Sequence, residues 1–241
     1  AVCIHTKKIY SSCRDKDCIE DLRFYPTATA QSVLSTAQGL RGGSAELIYT
    51  FVDVEPVNFN RGYYTVDMHF FYRITLQALN GSTRYTEIEG LATFDKRVVL
   101  FGSESGAKIY SSIPEANAID APLNLTANLP TAVVEVVDPM ILGSRVQEVC
   151  ACNCCATDTP QIPQGILDCF EEELVLGGEC KRLLVTIGQF SIARLERGTQ
   201  LLIPVLDSCI PSGSCQPVGS ISCSSCDDPC EMFESVCFPV G

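Results

Sequence analysis

The stretch CACNCC, residues 150 to 155, places four thiols in six positions. Such a cluster can hold a metal, run a redox couple or cross-link chains. The chain has 15 cysteines in all. Cys3, Cys13 and Cys18 lie near the start, and residues 19 to 149 contain none. The others are Cys150, Cys152, Cys154 and Cys155, then Cys169 and Cys180, then Cys209, Cys215, Cys223, Cys226, Cys230 and Cys237. An odd number leaves at least one thiol without a partner inside the chain.

Extended backbone sends Cys150, Cys152 and Cys154 to one side and Cys155 to the other. Cβ atoms two residues apart in a strand lie about 7 Å from each other, too far for a disulfide that wants roughly 3.5–4.5 Å. Most of these thiols must therefore pair with other segments or other molecules, and the cluster reads as a cross-linking hub. Two alternatives stay open. Cys150, Cys152, Cys154 and Cys155 with Cys223, Cys226 and Cys230 offer zinc ligands, at a spacing less regular than paired knuckles. Cys223 and Cys226 form a C-x-x-C, but in a Ser/Pro-rich tail and not at the start of a helix in a βαβ unit, so a structural disulfide fits better than a thioredoxin-like couple.

Other chemistry has little to stand on. Histidine occurs twice, as His5 and His69. Neither a G-x-S-x-G elbow nor an H-E-x-x-H is present. GSESGAK, from Gly102, lacks phosphate-loop spacing and a hydroxyl residue after Lys108. No catalytic residue, cofactor or metal is expected. Asn80 and Asn124 begin N-x-[ST] sequons, but Asn80 is better explained by a turn.

The net charge of -12 argues against nucleic acid, which needs clustered Lys and Arg. The charge is uneven. Lys7, Lys8, Arg14, Lys16 and Arg23 supply five of the 17 basic residues, whereas no Lys or Arg follows Arg197. The tail carries Asp207, Asp227, Asp228, Glu231 and Glu234. A basic start and an acidic end can attract each other between neighbouring chains. Hydrophobic residues at 46% against 19% charged read as an ordered protein, and no apolar run is long enough for a membrane helix. AVCIHTKKIY lacks the apolar core of a signal peptide. So many thiols with no visible export signal point to synthesis in a cytoplasm and later oxidation.

The elements that must carry these residues are strands. Tyr64, Val66, Met68, Phe70, Tyr72, Ile74, Leu76 and Ala78 alternate with Thr65, Asp67, His69, Phe71, Arg73, Thr75 and Gln77, a period of two. Asn80-Gly81 suits a tight turn, and TRYTEIEGLATF returns as the partner strand. The first strand is long enough to expect a bend or bulge. TAVVEVVDPMIL reads as a strand ending near Pro139. In KRLLVTIGQFSIARLERGTQLLIPVL the phase of Leu183, Val185 and Ile187 differs from that of Phe190 and Ile192, which predicts a bulge at Gly188. TATAQSVLSTAQGL fits helix or strand equally. The expected fold is mainly β, an antiparallel sandwich-like core. Residues 1–23 are read as a cysteine-bearing arm, and 24–207 as the core with a cysteine-rich loop at 150–165. An acidic cysteine-rich tail follows over 208–241.

Three stretches carry a resemblance: CIHTKKIYSSCRDKDCIEDLR from Cys3, VEPVNFNRGYYTVDMHFFYRI from Val54, and VTIGQFSIARLERGTQLLIPVLDSCIP from Val185. With the cysteine pattern they resemble the cysteine-rich coat and exosporium proteins of clostridial spores, among them the type that builds the exosporium's crystalline basal lattice. The resemblance implies a structural protein without catalytic residues, made in the mother cell and disulfide-bonded into the spore surface. It implies that the chain partners itself, as a hexamer tiling a two-dimensional lattice, with other spore outer-layer proteins as further partners. Nucleic acid and membrane insertion are not expected.

Overall fold

The computed structural model describes residues 1–80, 84–104, 129–148, 161–177 and 181–204. Contacts divide the chain into a unit of Ile4–Leu201 and a second of Ala1–Cys3 with Leu202–Gly241, most of which falls outside the described residues. The first unit is one antiparallel sheet. Its strands are β1 (Val2–Pro26), β2 (Gly39–Pro56), β3 (Tyr63–Asn80), β4 (Arg84–Phe101), β5 (Thr131–Val136), β6 (Met140–Glu148) and β7 (Lys181–Ile203). Helices α1 (Ala28–Thr36) and α2 (Gln164–Leu167) complete it.

The strand order is β2-β3-β4-β1-β7-β5, and β6 continues the β5 edge of β7. β5 pairs with Ser191–Glu196 and β6 with Lys181–Gly188, both antiparallel. The break between them is Val137-Asp138-Pro139, where Pro139 has no N–H to give the ladder. Asp138 turns the other way and accepts the backbone N–H of Leu47 on β2 at 3.1 Å. The first and last strands thus meet, and the sheet is nearly closed. Gly43, at a bulge of β2, has φ +149°, and a Cβ there would lie 2.2 Å from the Thr75 carbonyl and 3.2 Å from Ile141 of β6. Only glycine fits so close an approach.

Period-two patterning fills the inside. Val66, Phe70, Tyr72, Ile74 and Ala78 are fully buried, as are Val185, Ile187 and Leu195 from β7. α1 lies over this core because Ala30 and Leu34, one turn apart, are its buried residues, and Thr27 caps it by accepting the Ala30 N–H at 3.3 Å. A second, smaller core forms outside the sheet. Tyr25, Phe71 and Leu91, in the outward phase, are covered by Ile166, Phe170 and Leu174.

Several expectations change. β3 pairs with β4 from Tyr63 to Asn80 without a register shift; the irregularities sit on its other neighbour, β2, at Arg41/Gly43 and Leu47/Tyr49. The turn itself, 81–83, lies outside the described residues. β7 does not slip phase at Gly188. Gln189 and Ser191 continue the inward row of Leu183, Val185 and Ile187, and Phe190 and Ile192 point outward. The supposed slip came from reading apolar as inward. Residues 1–23 are not set off at position 23, because β1 runs through it, with Ile19 and Phe24 in the core. The left-handed Asp21, φ 56°, lets both point inward despite their odd spacing.

Candidate cross-linking surface

Four of the expected cross-linking cysteines are described, and all four are free thiols. The sheet gives them different surroundings. Cys13 points inward from β1 and packs against the main core. Cys18, five residues on, has the outward phase and is exposed. Cys3 is exposed too. Cys169 sits just beyond α2, where Arg73 reaches from the outward face of β3 to its carbonyl at 2.7 Å. The same guanidinium pairs with Glu46 at 3.0 Å and Glu89 at 2.9 Å, which anchors the turn to the sheet wall. The Cys169 thiol donates to the Gly165 carbonyl at 3.2 Å and borders a groove of about 340 Å³ between Ile48, Tyr49 and Phe51 of β2 and Pro163 and Ile166. The hub Cys150, Cys152, Cys154 and Cys155, with Cys180, Cys209, Cys215, Cys223, Cys226, Cys230 and Cys237, lies outside the described residues.

A larger cleft of about 510 Å³ opens on the outward face where β1, β7 and the end of β5 lie side by side. Arg14 and Lys16 come from β1, Glu135 and Val137 from β5 and the residues after it, and Phe190 and Ile192 from β7. The last two are 44% and 41% exposed, and Val137 is 65% exposed, so the floor is apolar and open to water. Lys16 Nζ stands 5.5 Å over the Phe190 ring.

The interior holds polar groups that apolar patterning had hidden. Lys96 occupies the inward phase of β4 and pairs with Asp15 at 2.8 Å and with Asp17. Burial opposes its charge, but the hydrogen bonds it donates to Asp15 and Asp17 outweigh that and hold Lys96 above its ordinary value. The same bond lowers Asp15. Tyr72 donates to Gln189 Oε1, while Gln189 Nε2 is buried and has no partner among the described residues. Burial, helped by the charge of Asp17, raises the Tyr72 phenol, so it stays a neutral donor. Arg197 closes one end by donating to Tyr64 Oη at 2.8 Å and to the Ser103 carbonyl at 3.1 Å. The signal for this set was present: Lys96, Gln189 and Ser191 fall on inward positions of their strands.

Both histidines are exposed. His69 faces its cross-strand neighbour Asp95, Nδ1 to Oδ1 2.8 Å. Among the described residues no three metal-binding side chains converge, and no helix is long and apolar enough to cross a membrane. Compared with known protein families, curated proteins and solved structures, the chain matches none.

Proposed function

We propose that this chain is a structural, self-assembling protein of the bacterial spore's outer layer, exosporium or coat, locked to copies of itself by disulfides and acting without turnover. The observation that carries the reading is the pair of exposed free thiols, Cys18 and Cys169, each held on the outer wall of a braced sheet. Their chain is rich in cysteine and has an odd number of them. Thiols exposed on a wall are open to cysteines that a neighbouring copy brings. Apolar side chains left in water nearby, Tyr49 and Phe51 by Cys169 and Phe190 and Ile192 on the face of β1 and β7, supply contact area for such neighbours. The resemblance to clostridial spore-surface proteins adds the setting: assembly around the forespore into a lattice, with a hexamer as the repeating unit. A heterologous contact that closes gives such a ring.

Electron microscopy tests this. Purified chain, oxidised at high concentration, is expected to form extended sheets with a regular repeat. Uniform 26.2 kDa particles under every oxidising condition would overturn the reading.

A further inference from the structure

The cleft on β1, β5 and β7 has two rim cations that stand outside its ion pairs. Of its two carboxylates, Asp15 shares Lys96 with Asp17, and Glu135 shares Arg194 with Glu196. Arg14 and Lys16 have no carboxylate partner among the described residues, although Lys16 also leans on the Phe190 ring. An apolar floor therefore has two unmatched cations on its rim, in a chain whose net charge is -12. Cys18 lies two residues beyond Lys16 on the same outward phase, about 7 Å along the strand. The cleft thus asks for an acidic, apolar, cysteine-bearing peptide.

One segment of this chain has that chemistry. Residues 227 to 238 read DDPCEMFESVCF, with four carboxylates, no Lys or Arg, and apolar Met232, Phe233, Val236 and Phe238. Cys230 is flanked by Asp227, Asp228 and Glu231. We propose that the cleft receives residues 227–238 of a second copy, and that Cys18 of the first copy becomes disulfide-bonded to Cys230 of the second. This rests on the structural reading above and names the contact that it needs. Carboxylates on Arg14 and Lys16 set the register, the apolar residues cover Phe190 and Ile192, and Cys230 is delivered to Cys18.

The oxidising equivalents come from a low-molecular-mass disulfide, RSSR. The Cys18 thiolate attacks it, forms a mixed disulfide and releases RSH. The Cys230 thiolate then displaces the second RS group, so each Cys18–Cys230 bond formed reduces one RSSR to two RSH.

The test is isotopic. Equal amounts of ¹⁵N-labelled and unlabelled full-length chain are co-assembled with oxidised glutathione and quenched by alkylation. The product is digested after acidic residues and analysed by mass spectrometry. Trypsin is unsuitable, since everything after Arg197 stays on one peptide. Cleavage after Asp17, Glu20, Asp227 and Glu231 separates Cys18 and Cys230 from all other cysteines. The expected result is a Cys18–Cys230 cross-link with mixed-isotope pairs. Its yield should fall about fivefold in the R14E/K16E double variant, both sites being exposed ion-pair positions. A cross-link found only in same-isotope pairs would assign the cleft to the chain's own tail and overturn the proposal. So would its absence from product that is covalently polymeric, a result that leaves the structural function standing. Product with no intermolecular disulfide at all overturns both.

Discussion

Asp138 and Leu47 close the sheet. The Asp138 carboxylate accepts the Leu47 N–H at 3.1 Å where the β5 edge breaks at Pro139 and β2 carries a bulge. Two irregular edges are joined by one side chain where a ladder would otherwise run. Asp138→Ala is expected to cost about 1 kcal/mol in urea unfolding, the worth of a solvent-accessible hydrogen bond. Amide exchange should rise in β2 near Leu47 and not in β3. Unchanged exchange in β2 would mean that the seam is held elsewhere.

Tyr72 and Gln189 form the buried contact between β3 and β7. Tyr72→Phe removes the donor to an amide whose Nε2 has no partner among the described residues, so a loss of about 1–3 kcal/mol is expected. Combining it with Gln189→Leu should restore much of that loss, because neither group then leaves a buried polar atom unmatched. A double variant as unstable as the sum of the singles would contradict this account.

The Lys96–Asp15 pair makes stability depend on pH at both ends of the range. Asp15 is held below its ordinary 3.8, so its contribution is present above about pH 4 and is lost as the pH falls further. Lys96 is held above its ordinary 10.5, so its contribution is present below that value and is lost as the pH rises past it. Lys96→Met should leave Asp15 and Asp17 facing each other, cost about 2 kcal/mol at pH 7, and flatten the fall in melting temperature below pH 4. A variant that keeps the wild-type acid profile would remove Lys96 from this role.

Thiol reactivity should follow the sheet's phase. With reduced native protein, a small alkylating reagent should label Cys18 and Cys169 well before Cys13, which packs against the core. Site-resolved mass spectrometry over a time course reads the order. Equal rates would show that β1 does not hold Cys13 inward.

The sequence made some of this legible and hid the rest for physical reasons. Alternation in β3 was readable because every inward residue of that row, Tyr64 to Ala78, is apolar or aromatic. The same rule failed at Gln189 and Ser191, which are inward yet polar, and so an even strand looked broken at Gly188. By its alternation Phe71 falls on the polar face of β3. It is buried because Ile166, Phe170 and Leu174, four residues apart, supply a cover that only the tertiary fold brings there. The free, exposed state of Cys18 and the inward packing of Cys13 follow from local phase in β1, which cysteine spacing alone does not reveal. The cleft was not readable at all, since β1, β5 and β7 meet only through the topology.

Covalent polymerisation through thiols is the central claim, and a denaturing gel tests it most directly. Assembled protein is quenched with an alkylating agent, heated in SDS, and run with and without reductant. The account predicts a ladder and high-mass material that collapse to the 26.2 kDa chain only in the reduced lane. A lone band at that mass in both lanes would contradict it.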